Sequence, residues 1–216
     1  CFWAYEFLSD RGAWGENSAL IQLLLSFTSR GRLIMSRIEG MREERGVHPL
    51  AENKIKDFLE PYVQAFIENS PFVVVASSNS EGDCDASPKG GKPGFIKVID
   101  DKTLMMPDVG GNNLFQSYEN YESNPKIGLV FMIPGMDTTV RVNGCVTVVE
   151  KDEFMKIISG PELYWSDNNA TFVQATIIKV DEAYFHCPRS FKFAKLWDAE
   201  TIKANSSQSI ASLKAK

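Results

Sequence analysis

The sequence predicts a mainly β fold, a barrel or sandwich with flanking helices. Short runs rich in β-branched and aromatic residues recur along the chain, and turn residues separate them at short intervals. Few segments show helical spacing, and strands do not alternate with long helices as they would in a parallel βαβ sheet. A length of 216 residues suffices for one compact domain plus an extension.

The strand and helix predictions follow hydrophobic periodicity. Apolar residues over 55–67 form one helical stripe, and Pro61 inside it predicts a kink or two short helices meeting there. Further short helices are expected over 114–123, 152–159 and 190–197. The strand runs cover 72–76, 94–99, 103–106, 126–133, 140–149 and 172–185, with turns at 79–82, 100–101, 107–108 and 134–135.

Three segments are expected along the chain: an N-terminal extension of unknown role over 1–49, a domain over 50–200 and a loose tail over 201–216 rich in Ser, Ala and Lys. Because the first residue is Cys1, the chain is a fragment, a processed form or a reading from upstream of the natural start, for which Met35 and Met41 are candidates. The apolar run 19–27 is too short to span a membrane, and acidic residues before it argue against a secretory signal.

The net charge and the cysteine content exclude several classes of binding partner. The net charge is −5 and no basic footprint is visible, which argues against nucleic-acid binding, and membrane binding is not expected either. Four scattered cysteines and two histidines predict no metal site. The cysteines are typical of reduced thiols in the cytoplasm. Cys187 adjoins His186, but neighbours on a strand point to opposite faces, so a nucleophile–base pair is not favoured.

Common catalytic and nucleotide motifs are missing from the sequence. No G-x-G-x-x-G follows a predicted strand, and the P-loop pattern G-x-x-x-x-G-K-[ST] does not occur. The nucleophile elbow G-x-S-x-G is also missing, which argues against a Ser-His-Asp hydrolase. Any site must therefore be built from less regular polar segments.

The first such segment is 83–91. In an extended chain Asp85, Ser87 and Lys89 lie on one face, and Pro88 between them predicts a strand end or an edge strand. The lysine and the hydroxyl both suit a phosphate, because each can donate hydrogen bonds to its oxygens. The alternative is a solvated strand end with ordinary surface charges, and this segment alone favours that alternative.

The second segment is 107–113. Its Gly and Asn residues tolerate left-handed backbone, and successive amides in such a turn can bind an anion. Because a helix is expected from Leu114, the same residues would adjoin the positive end of that helix. The alternative is a simple asparagine N-cap, and both readings fit.

The third segment is 138–148, which alternates with period two. Val140, Val142, Val146 and Val148 are expected on one face of a strand, and Thr139, Arg141, Asn143 and Thr147 on the other. By itself this is a half-buried strand whose polar face meets solvent.

Taken in order, these segments resemble the pyridoxamine 5′-phosphate oxidase-related flavin-nucleotide-binding proteins, from about Leu50 to Trp197. The residues that carry the resemblance are Pro71-Phe72, Asp85-Ala86-Ser87-Pro88-Lys89-Gly90, Gly94-Phe95, Asp101, Leu104, Pro107-Asp108, Gly111-Asn112, Asn124-Pro125, Gly128, Phe131, Ile133-Pro134-Gly135, Arg141-Val142-Asn143-Gly144, Phe185-His186-Cys187-Pro188 and Lys195-Leu196-Trp197.

The resemblance implies an FMN-binding split β-barrel that works as a homodimer, with the flavin in a cleft between subunits. The FMN phosphate and ribityl chain would be held by Asp85, Ala86, Ser87, Pro88 and Lys89 together with Pro107, Gly111, Asn112 and Asn113. Thr139 and Arg141 would lie near the cofactor, from the same or the other subunit, and Arg189, Ser190, Lys192 and Trp197 would close the site. Arg141 is then a candidate to stabilise the negative charge of reduced flavin.

The sequence also departs from the family pattern. The biosynthetic oxidase has an arginine near the start of the first phosphate strand and a basic Ser-Arg-Lys turn, where this chain has Cys84 and 111–113, so oxidation of pyridoxamine phosphate is not expected. Phe193 stands where relatives often have a basic residue. The function indicated is an FMN-dependent oxidoreductase whose substrate and electron donor the sequence does not identify.

Other functions remain open. A non-catalytic flavin-binding or storage protein would not turn over its FMN with NADH or NADPH. A haem-handling split barrel would need His186 or His48 as its axial ligand. A pure interaction module would bind no cofactor, and the sequence does not distinguish FMN from a deazaflavin.

Overall fold

The computed structural model describes residues 31–46, 53–110, 114–157 and 172–209, and contacts divide the chain into two units, 1–52 and 53–216. The first unit contains helix α1 (Gly31–Arg45), whose last turn carries Arg42 and Arg45 beside the negative end of the helix dipole. The predictions for 19–27 and His48 lie outside the described residues. Among the described helices, none is long and apolar enough to cross a bilayer.

The second unit is built on one antiparallel sheet of seven strands in the order β2-β1-β5-β6-β7-β4-β3. The mainly β prediction is therefore confirmed. The strands are β1 (Phe72–Ser78), β2 (Cys84–Gly90), β3 (Lys97–Asp100), β4 (Thr103–Val109), β5 (Lys126–Met132), β6 (Thr139–Glu150) and β7 (Phe172–His186).

Period-two sequences place the core on the inner face of this sheet. Val73 and Val75 of β1 pair through the ladder with Phe131 and Leu129 of β5, and all four side chains are buried. β6 and β7 form a long hairpin, and β5 pairs with one half of it while β4 pairs with the other. The sheet curls into an open barrel, because β2 and β4 approach each other across the core although four strands separate them in the order.

Helices cover the two faces of the barrel unequally. α2 (Pro61–Asn69) and α3 (Gln116–Ser123) pack on the inner side, where α2 buries Val63, Phe66 and Ile67. α4 (Lys151–Ile157) lies on the outer face of the β6–β7 hairpin, where its Phe154 joins a small cluster with Met105 and Phe172. α5 (Arg189–Ala194) and α6 (Ala199–Ser206) follow β7.

Two proline positions differ from expectation. Pro61 begins α2 rather than kinking a longer helix, because the first helical position needs no amide hydrogen bond. The expected turn at 107–108 is instead strand, since β4 continues through Pro107 to Val109. A proline is tolerated there because β3 pairs only with the first part of β4, which leaves the other side of Pro107 without a ladder partner strand.

The loose tail expected from Thr201 begins with an ordered helix, α6. Asp198 occupies its N-cap and accepts hydrogen bonds from the Thr201 amide at 2.9 Å and from the Thr201 hydroxyl at 2.8 Å. None of the α6 residues is buried. Local capping, rather than core packing, therefore holds this helix.

We expect Asp198→Ala to fray α6 without unfolding the barrel. The Thr201 hydrogen bonds hold the pKa of Asp198 below its ordinary value of about 3.8. A carboxylate with a lowered pKa stabilises the folded helix above its unfolded-state pKa, and this contribution is lost as pH falls through the folded-state value. The protection factors of the α6 amides, which are exchange rates relative to the intrinsic rate at the same pH, should therefore fall in the variant and, in wild type, on acidification below about pH 4. Unchanged exchange in α6 of the variant would contradict the capping role, and Ser206→Ala is the control at the other end of the helix.

Candidate functional site

Two of the polar segments meet at the open seam of the barrel. The end of β2, the end of β4 and the start of α3 surround a cleft of about 280 Å³, which we call the seam cleft. β2 is an edge strand, as Pro88 predicted. The cleft is lined by Ser87, Pro88, Lys89, Asp108, Val109, Gly110, Leu114, Phe115, Gln116, Ser117, Tyr118 and Val173.

Asp85 lies at one end of this polar seam and is already held by hydroxyl donors. Ser87 donates to its Oδ2 at 3.0 Å, and Ser117 of α3 donates to the same oxygen at 3.1 Å. Two hydroxyls on one carboxylate oxygen stabilise its charge locally. Asp85 therefore links β2 to α3 in this arrangement.

Lys89 and Asp108 face each other across the seam. The Lys89 Nζ and Asp108 Oδ1 atoms are 3.9 Å apart, and Gln174 of β7 donates to Asp108 Oδ2 at 3.4 Å. The Lys89 side chain is 37% exposed, whereas that of Asp108 is 15% exposed. The long ion pair leaves the ammonium able to turn toward a ligand at the mouth of the cleft.

The N-terminus of α3 points into the same region. The helix begins at Gln116, two residues later than expected, and its N-cap position is held by Phe115 rather than by an asparagine. Phe115 makes no side-chain cap hydrogen bond, so within the described residues the first amides of the helix keep their partial positive charge. Gly111, Asn112 and Asn113 lie outside the described residues.

Phe115 itself has an unusual conformation. Its φ of 54° is in the left-handed region, which is costly for a bulky side chain, and its ring is 52% exposed. Such backbone strain is found preferentially at functional sites. This conformation could not be predicted, because no glycine or asparagine occupies the position.

The seam continues inward to hydroxyl groups that the sequence did not single out. Burial, together with the negative charge of nearby Asp108, raises the pKa of Tyr118 to about 12. Burial likewise raises the pKa of Tyr121. The hydroxyl of Tyr121 is buried and has no hydrogen-bond partner among the described residues. The only sequence signal for this tyrosine pair was that Tyr118 and Tyr121 lie three positions apart on a predicted helix, which places them on one helix face.

The remaining candidate residues of β2 and β6 lie on the outer face of the sheet by their ladder register, although Pro88 also lines the edge of the cleft. Pro88 pairs through the ladder with Val74, and Arg141 pairs with Val130 in the same row on the outer face. Ala86 belongs to the next row of that face. One subunit therefore presents Lys89 and Arg141 on opposite sides of the sheet.

Strand β6 follows its predicted alternation with two exceptions. Val140, Val142 and Val146 are buried, as expected, but Val148 is 38% exposed beyond the part covered by β5. Thr139, expected on the solvent face, is buried. The Arg141 guanidinium lies 5.6 Å from the centroid of the Tyr184 ring, its neighbour on β7.

The C-terminal candidates form a separate group. The Trp197 indole donates to the Met136 carbonyl at 2.9 Å, which ties the end of α5 to the β5–β6 connection. Arg189 stacks over Phe193 at 5.2 Å, and Ser190 and Lys192 are exposed. None of Arg189, Ser190, Lys192 and Trp197 lines the seam cleft, and Pro107 points away from it because it alternates with Asp108. The haem-ligand candidate His186 is exposed at the end of β7, across the ladder from Thr139.

The curled antiparallel sheet with a polar cleft at its seam defines a split β-barrel protein. The family model described as pyridoxamine 5′-phosphate oxidase matches residues 59–187, and the chain belongs to this family. The match covers every strand, the seam cleft and α2 to α4, whereas α1, α5 and α6 lie outside it. Among curated proteins, no sequence matches the chain significantly.

Solved structures with low sequence identity resemble part of the chain. HupZ of Group A Streptococcus is 17% identical over 57% of this chain and 90% of its own, with a TM-score of 0.43. General Stress Protein 26 from Bacillus anthracis is 14% identical over 56% and 88%, with a TM-score of 0.37. A pyridoxamine 5′-phosphate oxidase-related, FMN binding protein from Nostoc punctiforme is 8% identical over 65% and 84%, with a TM-score of 0.40.

Proposed function

We propose that this protein binds FMN and works as an oxidoreductase in a homodimer, with the cofactor phosphate at the mouth of the seam cleft. The observation that carries the proposal is the convergence of Lys89 and the N-terminus of α3 on one cleft. An ammonium and helix amides are the donors that a phosphate monoester requires. Membership of a family in which flavin binding is common supports the same choice.

The charges in the cleft are compatible with a phosphate. Asp85 already receives two hydroxyl hydrogen bonds, so its charge is offset locally. Asp108 is the competing anion, but its distance from Lys89 is near the limit of an ion pair. Lys89 can therefore exchange Asp108 for a phosphate at little cost, because the existing pair is long and partly solvated.

In this proposal the protein supplies binding and orientation, and bound FMN supplies the electron or hydride transfer. Lys89 and the α3 amides anchor the phosphate end. Arg141 lies on the opposite face of its own subunit, so it reaches the cofactor of the partner subunit, where its charge would stabilise reduced flavin. Tyr118 keeps its proton at neutral pH, since its pKa is about 12, and so acts as a hydrogen-bond donor.

The outer face of the sheet offers the surface for the proposed dimer. On β1 and β5 this face carries Phe72, Val74, Ala76, Val130 and Met132, and none of them is fully buried. α4 covers the outer face only at the β6–β7 hairpin. A continuous apolar sheet face is typical of a subunit interface.

Visible spectroscopy of the purified protein is the direct test of the cofactor. We expect flavin absorption and release of one FMN per chain by acid, identified by its mass. NADH or NADPH should then bleach the bound flavin if the protein is an oxidoreductase, whereas a storage protein would keep its oxidised spectrum. A colourless protein that takes up neither FMN nor a deazaflavin would overturn the proposal, and a Soret band lost in His186→Ala would replace it with haem handling.

Ala76→Glu tests the proposed dimer surface. Ala76 is exposed in the single chain and lies in the middle of the outer face, so a carboxylate there would be buried without a partner in the dimer. We expect sedimentation to show dimers for wild type and monomers for this variant. Ala204→Glu on α6 carries the same change on an exposed helix and should remain dimeric. Dimers of Ala76→Glu as stable as wild type would rule out this face as the interface.

A further inference from the structure

Lys126, Cys145 and Asp181 form a cluster of reactive side chains that lies outside the seam cleft. The Lys126 Nζ atom is 2.9 Å from Cys145 Sγ and 2.8 Å from Asp181 Oδ2. The Cys145 sulfur is 3.6 Å from the same carboxylate oxygen. An amine, a thiol and a carboxylate therefore lie in mutual contact, and we call them the lysine–cysteine cluster.

Two features of the sheet bring these side chains together. Lys126 and Cys145 are directly opposite each other in the ladder between β5 and β6, so their side chains emerge on the same face. The register of β6 against β7 shifts between Asn143 and Gly144, and this bulge leaves Asp181 without a partner in the ladder. A bulge re-aims a side chain, and here the carboxylate reaches both of the other groups. Backbone pairing therefore keeps the amine beside the sulfur.

The lysine–cysteine cluster is open to small reagents. The Lys126 and Asp181 side chains are 60% and 44% exposed, and both line a groove of about 510 Å³ on this side of the sheet. Cys145 is half-buried beside them. A reagent as small as hydrogen peroxide can therefore reach the sulfur.

The other described cysteines lie too far from Cys145 to form a disulfide with it. β1 and β5 lie between β2, which carries Cys84, and β6, so about 14 Å of sheet separates the two cysteines at the usual strand spacing. Cys187 follows the opposite end of the ladder between β6 and β7. Among the described residues, the amine of Lys126 is therefore the nucleophile in contact with the sulfur.

We propose that Lys126 and Cys145 are a modification site, at which hydrogen peroxide produces a covalent sulfur–nitrogen cross-link, a sulfenamide, between β5 and β6. Peroxide converts a cysteine thiolate to a sulfenic acid, whose sulfur is trapped by a nitrogen that lies next to it. Neither Lys126 nor Cys145 lines the seam cleft. The inference therefore does not rest on FMN binding.

The cross-link forms in two steps. The thiolate sulfur attacks a peroxide oxygen, so an S–O bond forms, the O–O bond breaks, sulfur is oxidised by two electrons and peroxide is reduced. The departing hydroxide takes a proton from the Lys126 ammonium, which leaves water and a neutral amine. Hydrogen bonds to Asp181 and Cys145 raise the pKa of this ammonium, so a base as strong as hydroxide is required.

In the second step the neutral amine attacks the sulfur of the sulfenic acid. An S–N bond forms, the S–O bond breaks, and the hydroxide leaves with one amine proton as a second water. One peroxide is therefore consumed for each thiol and amine joined. A dithiol reductant reverses the reaction, because it returns the thiol and the amine and is itself oxidised to a disulfide.

Peptide mapping of the full chain after treatment with hydrogen peroxide tests the cross-link. Trypsin cleaves after an unmodified Lys126 but not after a modified one. We therefore expect peptide 103–141 joined to peptide 142–151, with a mass two hydrogens below the sum of the two. Dithiothreitol should separate them. Addition of two or three oxygens to Cys145 without any joined peptide would overturn the proposal.

Lys126→Arg tests the role of the amine. The guanidinium keeps the positive charge beside Asp181 but is not deprotonated in proteins, so it cannot attack the sulfur. We expect the joined peptide to be lost and Cys145 to be labelled instead by dimedone, which reacts with sulfenic acids. Cys84→Ser removes another exposed thiol and should leave the joined peptide unchanged. If dimedone labels Cys145 as fully in wild type as in Lys126→Arg, the amine does not trap the sulfur and the proposal is wrong.

Discussion

Lys89→Ala is expected to weaken FMN binding roughly 10- to 100-fold, because the phosphate loses its only side-chain cation in the described seam cleft. Fluorescence titration of the apoprotein with FMN measures the effect, since bound flavin fluorescence differs from free. The ordered hydroxyl pair on Asp85 does not involve Lys89, so the fold should be retained. Circular dichroism and thermal unfolding check this point.

Lys203→Ala is the matched control for that experiment. Lys203 is an exposed lysine on α6, and its removal changes the net charge equally without touching the cleft. FMN affinity should therefore be unchanged in this control. If wild type and Lys89→Ala bind FMN with equal affinity, the phosphate does not bind in the seam cleft, even if the purified protein contains flavin.

Asp108→Asn should have the opposite effect. Removing the carboxylate frees Lys89 and lowers the negative potential in the cleft, so FMN should bind several-fold more tightly. The same change should lower the pKa of Tyr118, because the Asp108 charge contributes to raising it. Ultraviolet titration of tyrosine ionisation would show the shift. A tyrosine titration identical to that of wild type would contradict the placement of Asp108 beside Tyr118.

Gly144→Ala is expected to produce the largest loss of stability, about 3 kcal/mol in the free energy of unfolding. A Cβ at this buried position would stand 2.3 Å from the Lys179 carbonyl oxygen and 3.1 Å from Ile178 Cγ2. The first neighbour is backbone, so it cannot rotate away. The strand register shifts between Asn143 and Gly144, which brings β7 unusually close at this point.

Gly128→Ala on the adjacent strand is the control for chain entropy and strand propensity. Its added Cβ would meet Asn143 Oδ1 at 3.4 Å and Ala76 Cβ at 3.8 Å, which are ordinary contacts. We expect a change of less than about 1 kcal/mol by urea unfolding of both variants. If Gly144→Ala unfolds no more easily than Gly128→Ala, the close approach of β6 and β7 does not limit stability.

Much of the secondary structure could be predicted because its signals are local. The period-two pattern of β6 predicted that Val140, Val142 and Val146 face the core, and Pro88 predicted that β2 is a strand end or an edge strand. The predicted boundaries of helices and strands were wrong where a single proline was compatible with two local structures. Pro61 was compatible with both a kink and a helix start, and Pro107 was compatible with both a turn and an unpaired strand side.

The candidate site could be predicted only in part. The sequence established that Asp85, Ser87 and Lys89 share a face, and the structure agrees. It could not establish that Ser117 and Gln174 complete the polar seam, since these residues lie 32 and 66 positions from their partners. Nor could it show that Arg141 faces the opposite side from Lys89, because that depends on ladder registers across three strand pairs.

The sequence by itself determined the class of fold and the residue types from which a phosphate cleft could be built, and it limited β2 to a strand end or an edge strand. Only the tertiary structure decided that the sheet curls until Lys89 reaches Asp108, and that Phe115 adopts a left-handed backbone conformation beside the seam cleft. The physical reason is the range of the interactions. Alternation, turns and caps act between neighbours in sequence, whereas the seam is created by contacts between strands that are far apart along the chain.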